Sequence, residues 1–135
     1  MRRFMLLALA ALAPASLAAA VPSALERLAA GEWEVSGAPG AKEPVRLCVS
    51  DLLALAQFEH RGRSCSRTVL SDADETAVVK YSCGAGDFGQ SRIDVVTPRA
   101  LRISTQGISD ELPFNYVIQA RRVGECEKSA STSSH

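Results

Sequence analysis

From residue 65 onward, apolar and polar residues alternate in five runs rich in Val, Ile, Thr, Tyr and Phe. The runs span residues 65–71, 75–83, 89–97, 100–108 and 114–123. Short segments of turn and loop composition, such as "DAD" and "GAGDF", separate them. Alternation with a period of two is typical of strands that bury one face. The short connections therefore predict an antiparallel meander with one buried face.

The alternation also predicts which side chains point into the core. In each run the largest apolar residues fall on every second position, so they share one face of the sheet. The expected inward residues are Ala77, Val79, Tyr81, Leu101, Ile103, Phe114, Tyr116 and Ile118.

The N-terminal part has a different pattern. Residues 21–30 read as a short helix, in which Ser23 and Glu26 have capping-box spacing and Gly31 is the stop. Residues 32–37 and 45–49 read as short strands around a Pro/Gly loop. A second helix is expected over residues 51–58.

Ser50 is the expected cap of the second helix, and Leu52, Leu55 and Ala56 form its apolar stripe. We expect a mainly β protein. We expect the meander to form a curved sheet or small half-barrel that curls over the N-terminal strands. One or two short helices near the N-terminus are expected to cover an open end.

The first twenty residues have the pattern of a secretory signal peptide. Arg2 and Arg3 precede an apolar stretch, and Ala18, Ala19 and Ala20 form a small-residue cleavage site. We expect residues 1–20 to be removed, leaving one disulfide-stapled β domain over residues 21–126 and a disordered polar tail over 127–135. This predicts a periplasmic or secreted protein with no membrane span in its mature form.

Charge and aromatic content narrow the partner class. Without the two leader arginines, the chain has 13 basic and 15 acidic residues, which gives a net charge of −2. Such a chain has no strong positive field, and its 5% aromatic content argues against a stacking platform for bases. We therefore expect no nucleic-acid partner.

Cys48, Cys65, Cys83 and Cys126 are an even set in a small exported domain, which predicts two disulfides. In a meander, the start of the strand after Cys65 and the end of the strand before Cys83 lie at one end of the sheet. Cys126 follows the fifth strand and belongs at the other end, about 30 Å away for a nine-residue strand. This favours Cys65–Cys83 with Cys48–Cys126, and leaves open Cys48–Cys65 with Cys83–Cys126.

Other motifs fail the context that their chemistry needs. "GAGDFG", residues 84–89, spells a dinucleotide fingerprint but leads into a strand instead of a helix, so we interpret it as a hairpin loop. The cysteine spacings of 17, 18 and 43 do not suit zinc, and "DADE", residues 72–75, lacks the rest of a calcium loop.

The basic cluster of Arg61, Arg63 and Arg67 around Cys65 would activate a free thiol, with His60 as its base. We expect Cys65 to be oxidised to a disulfide after export, which leaves no free thiol to activate. The arginines are therefore interpreted as a solvated loop. The sequence thus predicts no enzyme, no catalytic residue, no cofactor and no metal site.

Four short motifs in a fixed order resemble those of the bacterial domain-of-unknown-function family 3617. They are Gly31-Glu32-Trp33-Glu34, Cys48-Val49-Ser50, Tyr81-Ser82-Cys83 and Arg122-Val123-Gly124-Glu125-Cys126. The resemblance covers residues 31–126 and departs from the family where residues between Cys48 and Cys65 read as helical. It implies an exported, disulfide-bonded β protein, and it implies no activity.

The leading hypothesis is an exported, non-enzymatic module that binds a partner protein or serves the cell envelope. The first alternative is a lipocalin-like carrier of a small apolar ligand inside the curved sheet. The second is an inhibitor of an envelope-degrading enzyme that uses the loop at residues 84–89 as a probe.

Overall fold

The computed structural model describes residues 21–127. Seven antiparallel strands form one open sheet in the order β2-β1-β7-β6-β5-β4-β3. The strands are β1 (Gly31–Ser36), β2 (Val45–Val49), β3 (Ser66–Ala73), β4 (Thr76–Gly84), β5 (Asp87–Thr97), β6 (Ala100–Ser109) and β7 (Leu112–Gly124). Two 3-10 helices complete the fold, η1 (Ser23–Leu25) and η2 (Leu52–His60). The prediction of a mainly β protein built on an antiparallel meander is confirmed.

The N-terminal hairpin extends the meander. Strands β3 to β7 follow one another in chain order, and β1 then pairs antiparallel with β7, placing Val35 opposite Ala120 and Trp33 opposite Arg122. We expected the meander to curl over the N-terminal strands. Instead these strands lie in the same sheet, because β1 satisfies the backbone groups that β7 would otherwise leave unpaired.

A side chain of β3, one edge strand of the sheet, reaches the segment that follows β2, the other edge strand. Arg67 of β3 donates from Nη1 to Asp51 Oδ2, at 2.5 Å, and from Nε to Gln57 Oε1, at 2.7 Å. Asp51 follows directly after β2 in the chain. The sheet is therefore a half-barrel whose open side, called the seam below, is crossed by the Arg67–Asp51 ion pair.

The core lies between the inner face of the sheet and the two 3-10 helices. Of the residues predicted to point inward, six are buried and Phe114 and Tyr116 are half-buried. The sheet contributes Trp33, Val35, Ala77, Val79, Tyr81, Ile93, Val95, Leu101, Ile103, Ile118 and Ala120. From η2 come Leu52, Leu53, Leu55, Ala56 and Phe58. Burying each large apolar side chain stabilises the fold by about 1.5–3 kcal/mol.

The first predicted helix is wrong in extent and in its cap. Only Ser23–Leu25 is helical, its N-cap is Pro22, and no side chain caps it. The Ser23 hydroxyl donates to Asp72 Oδ1 of β3, at 2.9 Å, and not to a partner within its own segment. Because the Ser23 side chain bonds to a distant strand, it does not form the predicted capping box. Gly31, the expected stop of this helix, is the first residue of β1.

The second predicted helix exists, with different details. Asp51, and not Ser50, is the N-cap, because its side chain accepts from the Leu53 N–H at 3.0 Å. The helix is of the 3-10 type and breaks at Gln57, whose φ of −105° and ψ of 34° are not helical. The adjacent residues Leu52 and Leu53 are both buried, so the buried surface of η2 is wider than the predicted apolar stripe.

Within residues 21–127, no helix reaches the length and apolar character required to cross a bilayer. The predicted signal peptide and almost all of the predicted tail lie outside the described residues.

Candidate binding sites

All four cysteines are bonded. Cys48 is joined to Cys126 and Cys65 to Cys83, with Cα–Cα distances of 5.4 Å and 4.2 Å. This is the pairing that strand direction favoured. Because every cysteine of the described chain is in a disulfide, none serves as a thiolate nucleophile in this state.

The interpretation of the arginines around Cys65 as a solvated loop holds for Arg61 and Arg63, which are exposed, whereas Arg67 lies in β3 and is half-buried. Arg63 forms an ion pair with Asp87 and donates to the Cys83 carbonyl at 3.1 Å. The Arg61 guanidinium lies 4.6 Å above the centre of the Phe58 ring. Arg63 and Arg67 therefore join separate parts of the chain, whereas Arg61 contacts the end of η2.

His60, the one candidate base, lies in a buried polar cluster. Its Nδ1 is 3.0 Å from the Tyr81 hydroxyl, and its ring meets that of Phe114 edge to face. Its Nε2 is buried without a hydrogen-bond partner among the described residues. Next to it, the Tyr116 hydroxyl donates to Glu59 Oε2 at 2.7 Å.

Burial governs the acid–base behaviour of this cluster. It raises the pKa of Tyr81 to about 12, with the negative charge of Glu59 adding to the effect. It also raises the pKa of Tyr116, whose neutral hydroxyl is further favoured by its bond to Glu59. His60 and Tyr81 are only 4% and 1% exposed, so the surrounding side chains shield them from solvent. The cluster instead attaches η2 to β4 and β7.

The "GAGDFG" segment contains a hairpin turn, as predicted, but Gly84 ends β4 and residues 87–89 begin β5. Gly84 pairs with Asp87, and only Ala85 and Gly86 form the turn between β4 and β5, both with positive φ. Asp87 accepts from Arg63 and from the Asp110 N–H, and these two bonds lower the pKa of its carboxyl. The exposed tip is thus two residues long, which is short for an inhibitory probe.

A surface on the outer face of the sheet, which we call the outer patch, combines apolar and amide side chains. Phe88, Ile108 and Pro113 lie in one row across β5, β6 and β7. The neighbouring row runs from Lys80 through Gln90 and Gln106 to Asn115. Together they surround a hollow of about 480 Å³, and Phe88 is 42% exposed to solvent.

The outer patch carries one formal charge, that of Lys80. Within residues 21–127, Lys80 has no ion-pair partner, whereas the next cation on the outer face of β5, Arg92, is paired with Asp94 at 3.0 Å. The three amides are neutral and each offers both donors and an acceptor. The outer patch therefore suits a polar ligand of low charge that has an apolar side.

A second hollow lies at the seam. This seam groove, of about 640 Å³, has four polar lining residues, Glu26, Ser50, Asp51 and Arg67. Its apolar lining consists of Val21, Leu25, Leu28, Ala30, Leu52 and Leu53. Volume and lining fall in the range of small-molecule sites.

The interior of the half-barrel is occupied by side chains. Trp33, Tyr81, Leu55, Ile93 and Ile103 each expose less than 2% of their surface and fill the space between η2 and the sheet. A ligand enclosed by the sheet, as in a lipocalin, would have to displace them. The seam groove is therefore the better place for an apolar ligand.

Within the described chain, no cluster of three or more His, Cys, Asp and Glu side chains is arranged to hold a metal ion. Neither hollow has a set of ligands that would suggest one.

The sequence reasoning did not identify the outer patch. Its signal was present in β5, where Gln90 and Arg92 mark the outward positions and Phe88 shares their parity. Ile108 and Pro113 have no such signal by themselves, because only the register of β6 and β7 brings them beside Phe88.

Comparisons with protein-family models, curated proteins and solved structures returned no match to this chain. The resemblance to family 3617 thus stays a prediction.

Proposed function

We propose that this protein is an exported, non-enzymatic binding module of the bacterial envelope, and that the outer patch is its binding surface. One observation carries the proposal. The helices cover the inner face of the sheet, while the outer face presents Phe88 at 42% exposure beside Ile108 and Pro113. Apolar side chains clustered on a surface and rimmed by polar ones mark interaction sites.

The two disulfides and the predicted leader support an oxidising compartment outside the cytosol. The location is periplasmic or secreted in this proposal. The family resemblance points in the same direction, since it implies an exported protein without assigning an activity.

The test is retention of the exported protein by isolated cell envelopes. Wild-type protein should sediment with them, and Phe88→Ala should reduce the bound fraction several-fold by removing the exposed ring. The control is Val96→Ala, since Val96 is an exposed apolar residue of β5 outside the outer patch. Equal retention of all three proteins would contradict the proposal.

A second candidate is carriage of a small apolar ligand in the seam groove, which is favoured by the four leucines of its lining. A fluorescent fatty acid should bind the wild type. Leu28→Glu, which places a charge in the lining, should abolish this binding while envelope retention stays unchanged, and thermal melting verifies that the variant folds. Binding that survives the substitution would place the ligand elsewhere.

A further inference from the structure

The outer patch is too narrow for an ordinary protein partner. It crosses four strands, β4 to β7, which are about 4.8 Å apart, so it extends about 14 Å across the strands, while its two rows lie only about 7 Å apart along them. A standard protein interface buries about 800 Å² on each side, a patch about 28 Å across. The dimensions favour a thin, linear ligand that runs across the strands.

The side chains of the outer patch define the chemistry of that ligand. Gln90, Gln106 and Asn115 form a row of neutral amides that donate and accept hydrogen bonds, as hydroxyl and acetamido groups require. Phe88 provides an aromatic face beside this row, and aromatic rings at binding surfaces combine a large apolar area with little conformational freedom to lose. A sugar ring has the matching features, an apolar face of C–H groups and an edge of hydroxyls.

The charge of the outer patch further restricts the chemical class of the ligand. Among the described residues, Lys80 is the one charged side chain that lines the outer patch, and it gives too little positive charge for nucleic acid or an anionic lipid surface, which need several cations. It does match an isolated carboxylate next to neutral groups. Because strands β4 to β7 hold the two rows in a fixed register, one ligand would bind Lys80 through its carboxylate and the two rows through its sugar rings at the same time.

Resting on the proposed function, we propose that the outer patch binds a linear amino-sugar glycan that carries carboxylates. Phe88 stacks on a sugar ring, the amides of Gln90, Gln106 and Asn115 bind hydroxyl and acetamido groups, and Lys80 pairs with the carboxylate.

Two probes of equal backbone test the inference with the oxidised mature protein. One is a glycan of alternating N-acetylglucosamine and N-acetylmuramic acid, freed of peptides, which carries lactyl carboxylates; the other is an N-acetylglucosamine oligomer of the same length, which is neutral. Calorimetry should show the acidic glycan binding about two- to fivefold more tightly, as expected for one ion pair at a surface.

Three variants distinguish the contributions. Phe88→Ala should weaken both probes by about tenfold. Lys80→Gln should remove the preference for the acidic glycan and leave the neutral one unaffected. Gln106→Glu removes an amide donor for both probes and repels carboxylates, so it should weaken the acidic glycan more than the neutral one. Val96→Ala is the matched control. Thermal melting of each variant verifies that it folds.

The outcomes separate the glycan inference from the proposed function. If Phe88→Ala reduces envelope retention but the wild type binds neither glycan, the function stands and the glycan inference is wrong. If both glycans bind but Phe88→Ala and Lys80→Gln leave the affinities unchanged, the site is elsewhere and the inference is again wrong. If Phe88→Ala alters neither retention nor glycan binding, both are wrong.

Discussion

At the scale of single residues, two glycines make room for close packing of aromatic rings on the inner face of the sheet. Gly89 of β5 is opposite Tyr81 of β4, and Gly107 of β6 is opposite Phe114 of β7. A Cβ atom at residue 89 would lie 2.5 Å from Cζ and the hydroxyl oxygen of Tyr81. Glycine here is a packing requirement, since the ring occupies the place of the missing side chain.

Gly89→Ala should therefore destabilise the protein by about 1–3 kcal/mol, the usual result of overpacking a filled site. The matched control is Gly124→Ala, because a Cβ at Gly124 meets nothing within 4 Å. Both are strand residues without positive φ, so they differ in packing and not in backbone conformation. Urea unfolding measures the difference, and equal stabilities of the two variants would contradict this explanation.

At the scale of elements, η2 owes its position to polar contacts as well as apolar ones. A short 3-10 helix has little stability of its own, so tertiary contacts have to hold it. Ser91 of β5 donates to the Ala56 carbonyl, and Gln57 Nε2 donates to the Arg63 carbonyl at 2.9 Å. The Glu59–Tyr116 and His60–Tyr81 contacts fasten its C-terminal end.

The tyrosines give these contacts a measurable pH dependence. The pKa of Tyr81 is about 12 in the fold and about 10 in the unfolded chain, so between these values only the unfolded chain releases the proton. The stabilisation is fully present below pH 10 and is lost as the pH rises toward 12. Thermal melts should show stability falling over this range.

Tyrosine substitutions test the origin of this fall. Tyr81→Phe should make the decline shallower, and Tyr81→Phe with Tyr116→Phe should reduce it most, because the two are the only tyrosines of the chain. The tyrosine-to-phenylalanine changes keep the ring packing, so the comparison isolates the hydroxyls. A decline as steep in the double variant as in the wild type would contradict the assignment.

At the scale of the whole molecule, the two disulfides constrain the chain to different degrees. Cys48–Cys126 closes a segment of 78 residues and joins β2 to the chain after β7, whereas Cys65–Cys83 closes 18 residues and joins the neighbours β3 and β4. A longer closed loop removes more entropy from the unfolded chain.

Replacing Cys48 and Cys126 by Ala should therefore cost about 4.5 kcal/mol, and replacing Cys65 and Cys83 about 3 kcal/mol. Guanidinium unfolding of the two double variants measures both. A greater loss from the Cys65–Cys83 pair would mean that native-state contacts, and not loop closure, dominate.

The strands followed from the sequence with little error. Their ends differ from the predicted runs by at most two residues, because apolar and polar residues alternate along the whole length of a half-buried strand. Residues 21–30 were misread, since Asp72, 49 positions from Ser23, takes the hydroxyl that would have capped a helix. Local spacing does not report such a partner.

The sequence by itself thus determined the local features: which segments are strands, which face is buried, and that four cysteines form two bonds. Strand direction reduced the disulfide pairings to two, and the fold selected Cys48–Cys126 with Cys65–Cys83. Only the tertiary structure decided that β1 joins β7, that Arg67 crosses the seam, and that Phe88, Ile108 and Pro113 form one row. Those features depend on register between distant segments, and alternation along one strand carries no information about its neighbour's register.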